Sequence, residues 1–124
     1  MIVLDTNYLI RLLVPSSDEF ERVAAWYTTG DLLASTSIAW YEFCCGPVSE
    51  NQRALVLSLL RGGILPLGEE EAAEGARLFN STGRVRSLRV DSLIAAATIV
   101  AQASLATSNL RDFSKFIPLG LKLL

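Results

Sequence analysis

The sequence predicts an α/β fold in which a central, mostly parallel sheet is covered by helices on both faces. Short apolar runs of strand length alternate with longer segments that carry helix start and stop signals. The 124 residues contain no internal repeat, low-complexity stretch or linker, and their 51% hydrophobic content is enough for one core. We therefore expect a single domain spanning residues 1–124.

Each element follows from local signals. Strands are predicted where a short apolar run meets polar or turn residues, at 2–5, 31–35, 64–67, 105–107 and about 117–119. Helices are predicted between capping and breaking residues, at 6–13, 18–29, 37–45, 49–61, 69–80 and 88–102. Gly30, Gly46 and Gly83 supply stop signals, and Ser49 with Gln52 has the pattern of a capping box.

Three carboxylates lie in apolar surroundings. Asp5 ends the first strand, Glu42 is the only charge between Thr36 and Ser49, and Asp91 opens a segment that is uncharged to residue 110. Two carboxylates ~4 Å apart repel by roughly 4 kcal/mol at an effective dielectric near 20, and a divalent cation reverses that sign. Since ligands bind at the carboxyl ends of parallel strands, we expect the three acids to meet there around a metal ion.

The composition restricts the kind of metal. The chain has no histidine, and its two cysteines, Cys44 and Cys45, are adjacent and are expected to be buried thiols. A zinc site and a histidine-based triad therefore lack their parts. A site built only from oxygen ligands selects Mg²⁺ or Mn²⁺.

Each acidic residue also has a structural interpretation. Asp5 could cap the helix that follows it, Glu42 could point into solvent, and Asp91 could interact with a helix dipole. The polar segment at residues 107–113 could be an ordinary turn. The order of all four along the chain, and their shared sheet edge, favour a functional site.

That order resembles the PIN-domain ribonucleases, most closely the VapC-type toxins of toxin–antitoxin modules. The matching segments are IVLDTNYLIRLL, IAWYEFCCG, DSLIAAATIVAQ and ATSNLRDF, and they span essentially the whole chain. Their matching residues are Asp5, Thr6, Asn7, Glu42, Asp91, Thr107, Asn109, Asp112 and Phe113. Relatives often have an acid where this chain has Asn109, so either Asn109 or Asp112 is the fourth member of the site.

The resemblance implies a PIN-like three-layer α/β/α fold and a Mg²⁺- or Mn²⁺-dependent endoribonuclease that uses a metal-activated water. Asp5 and Asp91 would be metal ligands, Glu42 a ligand or a base that positions water, and Asn109 with Asp112 a surrounding layer. It also implies an RNA substrate, a cognate VapB-type antitoxin and a homodimer.

Other functional classes remain or are disfavoured. A PIN-like domain that binds RNA or a partner without cutting is the main alternative. A phosphorelay receiver is disfavoured because only one acid follows the first strand and the only lysines are Lys115 and Lys122. No glycine-rich phosphate loop suggests a nucleotidase.

Charge is divided unevenly along the chain. Residues 1–74 carry 4 basic and 11 acidic side chains, whereas residues 75–124 carry 7 and 2. The basic part is either a solvated surface or a rim that contacts phosphates. No signal peptide or membrane-spanning segment is predicted, and a cytoplasmic protein is expected.

Overall fold

The computed structural model describes all residues from 1 to 124 and confirms the three-layer α/β/α fold. The five strands are β1 Ile2–Leu4, β2 Leu33–Thr36, β3 Ile64–Leu65, β4 Ser104–Ala106 and β5 Lys122–Leu123. The seven α-helices are α1 Thr6–Arg11, α2 Asp18–Thr28, α3 Ser37–Cys44, α4 Glu50–Leu59, α5 Glu69–Ser81, α6 Arg89–Val100 and α7 Leu110–Phe113. Two 3₁₀ helices cover Arg86–Leu88 and Ser114–Leu119.

The sheet is parallel throughout, with strand order β3-β2-β1-β4-β5. In β1, Val3 lies opposite Ala34 on one side and Leu105 on the other. All three residues of β1 are buried, as expected for a central strand covered on both faces. The residues that follow β1 and β4 therefore emerge side by side at the carboxyl edge of the sheet.

Close contact between α5 and α6 positions the start of α6. A Cβ on Gly75 of α5 would lie 2.8 Å from the end of the Leu93 side chain, so any larger residue would push that side chain aside. On α6 itself, Ala95, Ala96 and Ala97 are buried, and their small side chains leave room for neighbouring elements. Small residues thus hold α6, and with it Asp91, close to the rest of the core.

The prediction for the last strand is wrong. Residues 117–119 belong to a 3₁₀ helix, because Pro118 has no N–H to donate to a strand. Gly120 ends this helix with a φ of 118°, and the chain then pairs Lys122 with Ser104. The strand therefore forms a few residues later than the apolar pattern suggested.

Other local differences are smaller. The segment interpreted as a turn contains the short helix α7. The helix predicted at 88–102 is α6, which a 3₁₀ turn at Arg86–Leu88 precedes. The cysteine prediction is wrong in part, since Cys44 is only half-buried and Cys45, at the end of α3, is exposed. None of the helices is both long and apolar enough to cross a membrane.

Candidate metal centre

Asp5 lies directly after β1 and is only 5% exposed. Its Oδ1 accepts a hydrogen bond from the backbone N–H of Thr6 at 2.8 Å, so it caps α1. Its Oδ2 accepts a hydrogen bond from the Thr107 hydroxyl at 2.7 Å. Burial raises the pKa of Asp5 above its ordinary value, and these hydrogen bonds offset part of that rise. The capping interpretation is therefore correct for one of its two oxygens.

Glu42 lies on α3 and reaches the same edge through Thr6. The Thr6 hydroxyl donates a hydrogen bond to Glu42 Oε1 at 2.8 Å. Thr6 thus contacts both Asp5 and Glu42, one through its backbone and the other through its side chain. Glu42 itself is exposed, because the buried face of α3 is formed by Ala39 and Phe43.

Asp91 is half-buried in the first turn of α6. Burial, followed by the charges of Asp5, Asp112 and Glu42, raises its pKa to about 6. Its carboxylate accepts no side-chain hydrogen bond and pairs with no cation. Four carboxylates from four separate segments therefore repel one another here. Asp91 is the one with neither a side-chain hydrogen bond nor a cation to offset that repulsion.

Asn109 and Asp112 are joined to this group through Thr107. The backbone N–H of Asn109 donates to the Thr107 hydroxyl at 3.0 Å, and Asn109 Nδ2 donates to Asp112 Oδ2 at 3.2 Å. Asn109 also caps α7 by accepting from the Asp112 N–H at 3.4 Å. Lys115 lies 3.9 Å from Asp112 and belongs to the only ion pair at this edge of the sheet.

The chemistry of these donor atoms fits a hard divalent cation. All are carboxylate, hydroxyl or amide oxygens, and neither Asp5, Glu42 nor Asp91 has a basic partner within 4.0 Å. No three acidic or cysteine side chains are already assembled at metal-binding distances. The group therefore supplies negative charge and oxygen donors but not a closed set of ligands.

Sequence reasoning identified the acids better than the groups that hold them. The structure brings all five predicted site residues to one edge of the sheet: Asp5, Glu42, Asp91, Asn109 and Asp112. The hydrogen bonds made by Thr107 could not be predicted from the sequence. Buried Ser35 was also missed, although its hydroxyl donates to the carbonyl of Leu4 at 2.7 Å and fixes the end of β1.

A family model matches most of the chain. The PIN domain model covers residues 2–116. No curated protein matches the sequence.

Solved structures share the fold over nearly their full length. A chain of FitAcB from Neisseria gonorrhoeae is 27% identical, with a TM-score of 0.72 over 100% of this chain and 96% of that chain. A chain of a toxin–antitoxin complex from Klebsiella pneumoniae is 23% identical, with a TM-score of 0.73 over 92% and 91%. A chain of VapBC2 from Rickettsia felis, bound to a DNA fragment from its promoter, is 21% identical, with a TM-score of 0.74 over 100% and 98%.

Proposed function

Because the chain belongs to the PIN domain family, we propose that it is a Mg²⁺- or Mn²⁺-dependent endoribonuclease and the toxin of a toxin–antitoxin pair. The observation that carries this proposal is the mutual repulsion of four carboxylates at the carboxyl edge of the sheet. Burial, together with that repulsion, raises the pKa of Asp91, and no cation of the protein relieves it. A protein that only needed to be stable would gain by replacing these acids.

Each of these side chains would have a distinct role. Asp5 and Asp91 would hold the cation, with Asp5 fixed by its two hydrogen bonds to Thr6 and Thr107. Thr6 occupies Oε1 of Glu42 and leaves Oε2 free, either to join the cation or to accept a proton from the attacking water. When bound, a divalent cation would lower the pKa of that water and neutralise charge on the phosphate.

Asn109 and Asp112 would form the surrounding layer. Asn109 connects Asp112 to Thr107, so a change in Asp112 reaches Asp5 through two hydrogen-bonded residues. Asp112 adds negative charge near Asp91 without direct contact. Their role would be to hold the acids in position and to adjust the charge available to the cation.

An antitoxin is the partner that the comparisons support. The similar solved proteins include toxin–antitoxin complexes. On this chain, an open groove of about 200 Å³ between the end of α1, α2 and α4 is lined almost entirely by apolar side chains. They are Leu12, Phe20, Val23, Ala24, Tyr27 and Leu59, with Thr28 as the single polar member. We propose that a segment of a VapB-type antitoxin covers this groove.

A homodimer is proposed as well, on the strength of exposed apolar residues outside the groove. Tyr41 is 67% exposed, and Leu55, Leu110 and Leu124 are each more than half exposed. Sedimentation of the purified chain at several concentrations would test this.

A non-catalytic PIN-like domain that binds RNA or a partner is the second candidate. It is favoured by the absence of three acids already assembled at metal-binding distances. Under this alternative the acids would be structural, with Asp5 and Asn109 acting only as helix caps.

The two candidates differ in one experiment. The purified chain should cut single-stranded RNA when Mg²⁺ or Mn²⁺ is added, and EDTA should abolish the cutting. Asp5→Asn and Asp91→Asn should each lose activity by about a hundredfold or more while remaining folded. Cutting that survives exhaustive chelation, or a chain that binds RNA but never cuts it with either metal, would rule out this mechanism.

A further inference from the structure

Three arginines form an exposed basic patch at the start of α6. This arginine patch consists of Arg84, Arg86 and Arg89. Residues 75–90 contain no acidic side chain, and none of the three arginines lies within 4.0 Å of a carboxylate. Their positive charges are therefore not neutralised by the protein itself.

Two of these side chains are held against one aromatic ring. The guanidinium carbon of Arg84 lies 5.5 Å from the centre of the Phe79 ring, and that of Arg89 lies 5.6 Å from it. Arg84 also donates a hydrogen bond to the side chain of Asn80. Contact with the ring orients a guanidinium while leaving N–H groups at its edge free, which suits bidentate binding of phosphate oxygens.

The local backbone does not favour arginine at two of these positions. Arg84 has a φ of 57°, a left-handed conformation that costs energy for any residue with a Cβ. Arg89 is the first residue of α6, where a positive side chain opposes the helix dipole. The contacts with Phe79 and Asn80 include no carboxylate, so both guanidiniums can still bind an external anion.

We propose that the arginine patch binds successive phosphates of a single-stranded RNA and directs the strand toward Asp91. This inference rests on the proposed function, because it takes the acidic cluster as the place where the strand is cut. Asp91 follows Arg89 by two residues, about 3 Å further along the helix axis but on nearly the opposite side of α6. A strand held by the patch would therefore cross the N-terminal end of α6 to reach the carboxylates, whose negative charge alone would repel it.

An RNA fits the patch better than an acidic protein surface does. An acidic protein would have no reason to bind next to a cluster of carboxylates, whereas a substrate must approach it. The three arginines also lie within six residues of each other, so they can follow one extended backbone. Binding to an acidic protein becomes an outcome of the test.

The test measures binding of a fluorescently labelled single-stranded RNA in EDTA, over a range of salt concentrations. The variant is Arg84→Gln with Arg89→Gln, and the control is Arg61→Gln with Lys122→Gln, which removes two exposed charges elsewhere. The salt dependence of binding should become less steep by about 1.4 in the patch variant, from roughly 0.7 for each lost phosphate contact. Affinity near 0.1 M salt should fall by about tenfold, and the control should behave as the unmodified chain.

Other results would overturn the proposal. These are an unchanged salt slope in the patch variant, an equal loss in the control, or normal RNA binding together with weakened binding of an acidic partner. Melting curves, together with a second variant, Arg84→Lys with Arg89→Lys, show whether the fold is intact. The lysine variant should keep the salt slope, because both charges remain.

This experiment separates the inference from the proposed function. Because binding is measured without metal, a chain that never cuts RNA can still show the changed slope. In that case the RNA-binding role of the arginine patch is supported, and the nuclease proposal is refuted. A chain that cuts RNA with Mg²⁺ but shows no change of slope keeps its nuclease function and loses the patch.

Discussion

Replacing Asp91 by asparagine should make the metal-free protein more stable. The ordinary pKa of this carboxyl is 3.8, and in the folded chain it is about 6. A difference of roughly 2 pKa units corresponds to at most about 3 kcal/mol of unfavourable free energy for the ionised form. Because Asp91 is only half-buried, solvent screening reduces this to about 1–2 kcal/mol. We expect the melting temperature at pH 7.5 to rise by on the order of 5 °C.

Because the pKa of Asp91 is raised in the folded state, the stabilisation gained from asparagine should depend on pH. Between pH 3.8 and about 6 the folded state holds the Asp91 proton and the unfolded state does not. The free energy of unfolding of the unmodified protein therefore falls as pH rises through this window. The penalty is absent well below pH 3.8 and complete above about pH 6. The gain from asparagine should accordingly be full at pH 7.5 and roughly a third as large at pH 4.5.

Urea denaturation in EDTA at both pH values measures this difference. Asp18→Asn is the matched control, because Asp18 also lies in the first turn of a helix but in an exposed position. This control should lower the free energy of unfolding by about 0.3–1 kcal/mol, because it removes a negative charge that interacts favourably with the helix dipole. If Asp91→Asn is destabilised to a similar extent, Asp91 is an ordinary first-turn carboxylate. A gain that is equal at both pH values would also contradict the argument.

Four further substitutions test the site and the apolar groove. Asn109→Asp should tighten Mg²⁺ binding and destabilise the metal-free protein by placing two carboxylates together, whereas Asp112→Asn should weaken Mg²⁺ binding. Calorimetric titrations should shift in opposite directions, and a neutral Asp112→Asn would leave Asp112 as part of the α7 turn only. Thr107→Val removes the hydrogen-bond donor to Asp5, so it should lower the free energy of unfolding by about 1–3 kcal/mol. It should also raise the pKa of Asp5 and so move the acid limb of the pH–activity profile to higher pH, whereas Thr107→Ser should behave as the unmodified chain. Ala24→Arg places a long charged side chain in the apolar groove, so it should prevent neutralisation by the co-expressed antitoxin without loss of cutting; unchanged neutralisation would mean that the antitoxin binds elsewhere.

The layered fold was predictable because its signals are local. The buried strand β1 reads as a continuous apolar run, and the capping box of Ser49 and Gln52 is present as expected. The end of the chain was not predictable in the same way. Residues 117–119 are apolar, yet Pro118 and Gly120 decide where pairing with β4 begins. Which apolar run joins a sheet depends on a partner strand that is distant in sequence.

The site was predictable in its acids and not in its connections. An acid in an apolar segment is conspicuous, which is why Asp5 and Asp91 could be selected from the sequence alone. Glu42 was selected on the same grounds, but its exposure depends on how α3 rotates against the core. Thr6 and Thr107 lie in the matching segments, but the carboxylates that their hydroxyls contact could not be predicted, because threonine is common at strand ends and helix starts.

The hydrogen bond between Thr107 and Asp5 joins residues that are 102 positions apart. Most of the chain must therefore be synthesised before the buried carboxylate of Asp5 receives its second donor and before β4 closes the central pairing of β1. Contacts this distant in sequence form late, since closing a long loop is entropically unfavourable. A nascent chain that is still emerging from the ribosome would then carry the acids without a finished site. The topology itself therefore delays completion of the candidate site until the segment around Thr107 has been translated.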